Sequence, residues 1–215
     1  MYGSQFRSPQ FIEMNGDEAG NKFPHHEIDY TDWDKSIAIF GDSCSYGQYL
    51  NTGDRLHEIL YSQWRRPVNN FGYPAEGNFH IFKKFLRAVT EHGLPLGVVV
   101  GYSTPWRIAY VENNFIESVG WWAEKWEDKT IGQRAAVNFL ENCKDTLFEQ
   151  NLDIIKAIRL MCKDIHYYEW TPFTGQDYYE DVYRLEWTDR ASDNVHPGPE
   201  TMKFLAGKIR EEFKL

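Results

Sequence analysis

The sequence predicts an α/β fold, a three-layer α/β/α domain built around a central parallel sheet. From residue 36 onwards, short apolar runs alternate with amphipathic segments, a pattern typical of buried strands joined by crossover helices. The chain has 215 residues, of which 42% are hydrophobic and 16% aromatic, enough for one core of ordinary size. We therefore expect one domain over residues 31–215, preceded by an N-terminal arm over residues 1–30.

The first half of the domain is predicted to alternate between strands and helices, from the length of its apolar runs and the period of its apolar positions. The elements are the strand SIAIF at 36–40, the helix RLHEILYSQW at 55–64, the strand PVNNF at 67–71, the helix GNFHIFKKFLRAVTEHG at 77–93 and the strand PLGVVVGY at 95–102. The glycine at position 93 suits the C-terminal end of the second helix.

After residue 130 the pattern predicts two helices, a strand and a final helix. They are IGQRAAVNFLENCKDTLFEQ at 131–150, LDIIKAIRLMCKD at 152–164, IHYYEW at 165–170 and a helix that begins at Pro199. Proline is well suited to the first turn of a helix. The apolar residues of this last helix recur at spacings of three and four, and they are Met202, Leu205, Ile209 and Phe213.

Residues 1–30 are rich in glycine, asparagine, proline and charge, and they show no helix or strand period. We expect an extended or partly disordered arm, with contact to a protein partner as its candidate role. His25 and His26 stand side by side in it, but no other metal ligands lie at a useful spacing, and we assign them no role.

An aromatic-rich segment, residues 108–129, interrupts the alternation of strands and helices. It contains Trp121, Trp122 and Trp126 among acidic residues. Two interpretations stay open. The aromatic side chains either cover one end of the core or form a platform for a sugar ring, and the first is preferred.

Composition excludes several classes of function. The net charge of -9 repels phosphate backbones and anionic lipid surfaces, so we expect neither nucleic acid nor a membrane as partner. The three cysteines show no CxxC spacing, and no metal or other cofactor is expected. The N-terminal stretch lacks the apolar run of a cleavable signal, which favours a cytoplasmic location.

Polar and glycine-rich loops follow the predicted strands, and the carboxyl ends of parallel strands meet at one edge of a sheet, where ligands bind. The loops are Gly41–Ser43 after the first strand, 72–78 after the second, Gly101–Thr104 after the third and 192–198 before the final helix. We expect all of them to converge on one site.

Three residues of these loops form a candidate proton-transfer chain. Asp193 and His196 are three positions apart, so one turn can set the carboxylate beside one imidazole nitrogen. A histidine oriented in this way can take the proton of a serine hydroxyl, and Ser43 is the best-placed serine. The alternative is that Asp193 and His196 cap the final helix.

These motifs resemble those of the SGNH or GDSL hydrolases. FGDSCSYG at 40–47 resembles their first block, NNFGYPAEGN at 69–78 the second, VVVGYSTP at 98–105 the third and DNVHP at 193–197 the fifth. The resemblance extends from about residue 36 to the C-terminus and implies the flavodoxin-like fold of that superfamily. It also implies that Ser43 is the nucleophile, His196 the general base and Asp193 the residue that orients the histidine.

The resemblance implies an oxyanion hole as well, formed by the N–H groups of Ser43 and of a second-block glycine, Gly77 or, as the lesser candidate, Gly72. The third block departs from the family pattern Gly-x-Asn-Asp, because Ser103 stands where the family has asparagine. The serine hydroxyl reaches less far than an asparagine side chain, but it can still donate a hydrogen bond to the oxyanion. The complete loss of one such donor raises the activation barrier by about 3 kcal/mol. Four further residues are candidates for substrate binding, and they are Asp42, Asn78, Tyr102 and Arg107.

The third block has the pattern GxSxxxR, which resembles the same block in SGNH-like proteins of tailed bacteriophages. The virion is therefore a further candidate location for the protein. For Arg107 we prefer a surface position, with its aliphatic part packed on Trp106, to a position in the pocket.

The first motif has two other interpretations, a nucleophile elbow centred on Ser45 and a catalytic thiolate at Cys44. A metallophosphoesterase is disfavoured, since its further histidine ligands are missing.

The function predicted from these observations is a serine esterase that hydrolyses a small ester through an acyl-enzyme. A small acyl group such as acetyl, on a carbohydrate or another polar acceptor, is the preferred substrate, because the chain shows no long apolar insertion of the kind a lipase needs. The alternative is a binding or structural protein that keeps the fold with a weakened oxyanion hole, and a virion component would fit it.

Overall fold

The computed structural model describes residues 28–112, 115–120, 127, 129–173, 179 and 181–214. Most of the predicted N-terminal arm, residues 1–27, and the tryptophans of the aromatic segment lie outside the described residues. The described end of the arm contacts the domain. Asp29 and Asn69 exchange two hydrogen bonds of 2.9 Å between backbone and side chain, and the ring of Tyr30 stacks on His92.

Helices and strands alternate through the described chain. The strands are β1 (Ile37–Gly41), β2 (Val68–Asn70), β3 (Gly97–Gly101), β4 (Ile108–Glu112), β5 (Phe115–Val119), β6 (His166–Thr171) and β7 (Tyr183–Arg184). The helices are α1 (Ser43–Tyr46), α2 (Leu56–Trp64), α3 (Asn78–His92), α4 (Ile131–Asn142), α5 (Lys144–Met161) and α6 (Pro199–Phe213), and a 3-10 turn at Trp33–Lys35 precedes β1.

Five of the strands form one parallel sheet in the order β2-β1-β3-β6-β7. The predicted α/β fold with a central parallel sheet is therefore confirmed, and its strand order is the flavodoxin-like one. The chain winds outward from β1 to β2 and then crosses back to β3 on the other side of β1. This reversal opens a crevice beyond the carboxyl ends of β1 and β3, the place where such sheets bind ligands.

The sheet buries both faces, as a parallel sheet does when helices cover it. Successive side chains of a strand point to opposite faces, and β1 shows the result. Ile37 and Ile39 pack in one cluster with α2 and α6, whereas Ala38 and Phe40 pack in a second cluster with α3 and α5. All five residues of β1 are buried, which explains why its sequence is a continuous apolar run.

Two local features differ from the sequence prediction. The boundary between α4 and α5 lies at Cys143 and not near residue 151, because Asn151 is a buried residue on the inner face of α5. Strands β4 and β5 form an antiparallel hairpin outside the main sheet, where the sequence was given no regular structure. No helix of the described residues is both long and apolar enough to cross a bilayer.

Candidate active site

The turn after β1 holds Ser43 at the crevice. Asp42 precedes α1, and its Oδ1 accepts the N–H of Cys44 at 3.0 Å, while its carbonyl accepts the N–H of Tyr46 at 2.9 Å. The short helix then ends at Gly47, which has the positive φ of 83° that glycine adopts without strain. Ser43 is thus the first residue of a tightly held turn, and it is 7% exposed.

The neighbouring residues of the turn are not suited to act as the nucleophile. The Ser45 side chain is fully buried between the ends of β1 and β3, so closely that a Cβ built on Gly41 or Gly101 would lie 2.0 or 2.2 Å from its Oγ. Burial, and secondly the charge of Asp42, raise the pKa of the Cys44 thiol well above its ordinary value, so a thiolate is disfavoured. Among these three candidates, only Ser43 has a base beside it.

A turn before α6 presents His196. The backbone N–H groups of Val195 and His196 both donate to Oδ1 of Asp193, each at 3.1 Å, and Asn194 takes the left-handed conformation with φ 56°. An isolated bridge between Arg190 and Pro197 closes the base of this loop. The carboxylate and the imidazole are therefore fixed relative to each other by the backbone of one turn.

The predicted proton-transfer residues lie in one chain of hydrogen bonds. Nδ1 of His196 is 2.5 Å from Oδ2 of Asp193, and Nε2 of His196 is 2.9 Å from Oγ of Ser43. A carboxylate only accepts hydrogen bonds, so the proton of a neutral imidazole lies on Nδ1 and Nε2 is free to accept from the serine hydroxyl. The arrangement matches, group for group, the geometry that activates a serine.

Asp193 is held in its ionised form. Burial disfavours the charge, but hydrogen bonds from the His196 ring and from the N–H groups of Val195 and His196 outweigh it, and the pKa of Asp193 is lowered. The ring of Tyr49 packs against His196 with the ring centroids 5.6 Å apart. The imidazole is thus oriented from two sides.

The helix cap proposed as an alternative role for Asp193 and His196 belongs to another residue. Oδ1 and Oδ2 of Asp189 accept the N–H groups of Thr201 and Glu200 at 2.8 and 2.9 Å, in the first turn of α6. The Thr201 hydroxyl also donates to Asp189 at 2.7 Å. Because Asp189 accepts the N–H groups of this first turn, the side chains of Asp193 and His196 are not needed as caps. Asp193 bonds to His196, and His196 bonds to Ser43.

Of the two candidate glycines for the oxyanion hole, Gly77 is the better candidate, because the N–H of Gly72 has a hydrogen-bond partner nearby in the chain. The N–H of Gly72 donates to Oδ1 of Asn70 at 2.9 Å, so it is already used. Gly77 is the N-cap of α3, and Ser43 is the first residue of α1. Helix geometry leaves the N–H groups of both positions without intrahelical partners.

Three predicted site residues, Asn78 at the start of α3 and Tyr102 and Ser103 after β3, are buried. Ser103 is fully buried, and its Oγ has no hydrogen-bond partner among the described residues. Asn78 holds the Ser103 backbone from both sides, accepting its N–H at 2.8 Å and donating to its carbonyl at 3.0 Å. Tyr102 is fully buried too, with its hydroxyl 3.0 Å from that of Tyr167. The side chains of Asn78 and Tyr102 thus form hydrogen bonds within the protein, and a contact of either with a substrate stays a prediction.

The structure corrects the surface position that the sequence analysis preferred for Arg107. The Arg107 side chain is only 10% exposed, and its Nη1 lies 3.1 Å from Oδ2 of Asp42, whose side chain is 1% exposed. The two oppositely charged groups form an ion pair inside the protein. Arg107 is therefore not a surface residue in this structure, and a substrate contact of Arg107 or Asp42 stays a prediction of the sequence.

The sequence prediction missed Glu76, which lies beside Gly77. Its Oε1 pairs with Lys84 at 2.6 Å, while its Oε2 is buried without a hydrogen-bond partner among the described residues. Burial raises the pKa of Glu76 to about 7, and Asp42 adds to the rise, although Lys84 and Arg107 oppose it. A carboxyl group one position before a predicted helix gives no sequence signal of such burial.

No family model and no curated protein sequence matches the chain. Solved structures do resemble it at low identity. A protein described as lipolytic and of the G-D-S-L family, from Desulfitobacterium hafniense, is 16% identical with a TM-score of 0.46 and covers 81% of this chain and 97% of its own. A carbohydrate esterase of family 2 from Corynascus thermopiles is 11% identical with a TM-score of 0.47 and covers 91% and 70%.

The psychrotrophic esterase EstA from a Pseudoalteromonas species is a further example, at 11% identity and a TM-score of 0.42, with 84% of this chain and 97% of its own covered. At such identities and scores no residue role transfers from these proteins. The chemistry of the site must be read from the side chains of this chain.

Proposed function

We propose that this chain is a serine esterase of the SGNH type, with Ser43 as nucleophile, His196 as general base and Asp193 as the residue that orients the histidine. The observation that carries the proposal is the unbroken hydrogen-bond chain from the Ser43 hydroxyl through the imidazole to the Asp193 carboxylate. Three residues that lie up to 153 positions apart meet with donor and acceptor roles in the order that acyl transfer needs.

In the first step, Oγ of Ser43 attacks the ester carbonyl carbon while Nε2 of His196 takes its proton. The carbonyl π electrons move onto oxygen and give a tetrahedral oxyanion. As this intermediate collapses, the bond to the alkoxy group breaks, and His196 returns the proton to the departing alcohol. An acyl group then remains on Ser43. Water repeats the sequence with His196 as base, which releases the acid and restores the serine.

The oxyanion is stabilised by the N–H groups of Ser43 and Gly77, aided by the Ser103 hydroxyl. The Ser103 Oγ has no hydrogen-bond partner among the described residues, so its hydroxyl can donate to the oxyanion. The Asp193 carboxylate stabilises the imidazolium that forms while the oxyanion exists. Each of these groups acts on charge that develops only in the transition state, so each acts mainly on kcat.

A small acyl group on a polar acceptor is the substrate class that we favour. Ser43 is 7% exposed, and the His196 side chain is 14% exposed. A small acetyl group reaches such slightly exposed groups more easily than a long acyl chain does. The bacteriophage origin, a virion location and a partner for the N-terminal arm stay predictions of the sequence alone.

The test is hydrolysis of 4-nitrophenyl acetate and 4-nitrophenyl octanoate by purified protein. The wild type should hydrolyse the acetate faster, and Ser43→Ala should lower kcat by about three orders of magnitude or more. Ser45→Ala is the matched control. It removes a hydroxyl group from the same turn, but this hydroxyl has no base beside it, so the variant should keep wild-type activity. Equal hydrolysis by wild type and Ser43→Ala would rule out the proposed nucleophile.

A further inference from the structure

The side chain of Arg107 joins the two backbone segments that carry the proposed oxyanion donors. One segment is the turn of Asp42 and Ser43 after β1, and the other is the loop of Glu76 and Gly77 before α3. Arg107 itself lies beyond both in the chain, between β3 and β4. A single buried guanidinium therefore bridges positions that are 65 and 31 residues away in sequence.

The first contact fixes the nucleophile turn. Nη1 of Arg107 donates to Oδ2 of Asp42 at 3.1 Å, while Oδ1 of the same carboxylate accepts the N–H of Cys44 at 3.0 Å. The two carboxylate oxygens thus face different partners. Because the side chain of Asp42 is held between Arg107 and the backbone of the turn, the direction of the Ser43 N–H is held with it.

The second contact fixes a particular peptide unit. Nη1 of Arg107 also donates to the carbonyl oxygen of Glu76 at 3.2 Å, and the N–H of that same peptide belongs to Gly77. A trans peptide is planar, with C=O and N–H pointing in opposite directions. When Arg107 fixes the carbonyl, the Gly77 N–H must point the other way. A charged donor on the carbonyl also polarises the unit and strengthens its N–H as a donor.

The backbone of Arg107 reinforces this placement. A Cβ built on Gly77 would lie 2.5 Å from the carbonyl oxygen of Arg107, a distance that only glycine avoids. The loop after β3 therefore packs directly on the peptide unit that the guanidinium holds. The Arg107 side chain is 10% exposed, and the contacts described here join it to these two segments.

We propose that Arg107 is a positioning residue of the oxyanion hole, which aims the N–H groups of Ser43 and Gly77 at one point by holding the Asp42 side chain and the Glu76–Gly77 peptide. This inference rests on the proposed function. It explains why an arginine and an aspartate are buried together beside the nucleophile, where a pair that serves stability alone offers little advantage over apolar residues.

The experiment compares Arg107→Gln with wild type in 4-nitrophenyl acetate hydrolysis and in inhibition by methylboronic acid. The boronic acid forms a tetrahedral adduct with an activated serine and places an oxygen in the oxyanion hole. Arg107→Gln should lower kcat by roughly ten- to hundredfold, since a misplacement of about 1 Å has effects of that size. KM should change by less than about threefold, and Ki of the boronic acid should rise in parallel with the loss of kcat.

Two further variants make the result specific. Arg107→Lys keeps a positively charged donor and should therefore have a kcat between those of Arg107→Gln and wild type. Arg107→Met fills the buried space without a charge, and it replaces Arg107→Gln if the glutamine variant does not fold. Arg159→Gln is the control, because it removes another partly buried arginine, paired with Glu169, and it should leave kcat and Ki unchanged. Melting temperatures of all variants confirm that folded proteins are compared.

Separate outcomes overturn the two proposals. A folded Arg107→Gln protein with wild-type kcat and boronate Ki contradicts the positioning role, and so does a rise in KM alone, which would make Arg107 a substrate ligand. A wild-type protein that hydrolyses no ester and does not bind the boronic acid overturns the proposed function, and the inference with it.

Discussion

At the scale of single residues, the site depends on which polar groups are paired and which are left available. Asp42, Asp189 and Asp193 each have their own partner, Arg107, Thr201 and His196 respectively. The motifs predicted Ser43, Asp193 and His196, because catalytic geometry needs those residue types. The pairing of Arg107 with Asp42 could not be predicted, since it links two loops whose spatial relation appears only in the folded sheet.

Glu76 gives a prediction about stability and pH. Its pKa is raised from 4.5 to about 7 in the folded protein, so the folded state keeps a proton that the unfolded chain releases as pH rises through this window. The free energy of unfolding therefore falls as pH rises from 4.5 to 7. Above pH 7 the folded protein bears the full cost of the buried Glu76 charge. Glu76→Gln removes this cost and should stabilise the protein by about 1–3 kcal/mol at pH 8, with little effect at pH 5.

Thermal unfolding of wild type and Glu76→Gln at the two pH values measures this difference. Lys84 loses an ionic partner in the variant but keeps its hydrogen bond to the Phe71 carbonyl at 3.0 Å, which limits the opposing effect. Glu91→Gln, on the exposed face of α3, is the control and should show no such dependence on pH. The same stabilisation at pH 5 and pH 8 would show that Glu76 does not titrate between them.

At the scale of helices and strands, local pattern predicted what local pattern determines. β1, β3, α3 and α6 were found because their apolar period or continuous apolar run reports burial directly. The junction of α4 and α5 was misplaced, since Asn151 looks like a helix end and is in fact buried and bonded to Asn78 across the core. The hairpin of β4 and β5 had a usable signal, two β-rich runs separated by two asparagines.

The start of α6 gives the prediction at this scale. Asp189 binds the N–H groups of Glu200 and Thr201 from outside the helix, so Asp189→Ala should destabilise the protein by about 1–2 kcal/mol, as the loss of a helix cap does. Hydrogen bonds from these groups lower the pKa of Asp189 against the effect of burial, so the contribution should disappear as pH falls through this lowered pKa.

Chemical denaturation of wild type and Asp189→Ala at pH 7 gives the difference in the free energy of unfolding. Asp164→Ala serves as the control, because its side chain is 81% exposed in a surface turn. An Asp189→Ala protein as stable as wild type at pH 7 would mean that water replaces the cap without cost.

At the scale of the whole molecule, strand order brings the site together. β1 lies between β2 and β3, so the loops that follow these three strands open at one edge, and the loop before α6 brings His196 to the same place. The sequence predicted this convergence from the general behaviour of parallel sheets. It could not predict the contacts among the loops, because these depend on packing between segments distant in the chain.

The central claim is that Ser43 is a nucleophile activated by His196, and a fluorophosphonate tests it most directly. Such a probe forms a covalent bond only with an activated serine, and mass spectrometry of peptides locates the adduct. The account predicts one adduct per chain on Ser43, none on Ser43→Ala, and labelling of His196→Ala slower by about a hundredfold or more. Folded wild-type protein that stays unlabelled, or a His196→Ala variant labelled as fast as wild type, would contradict it.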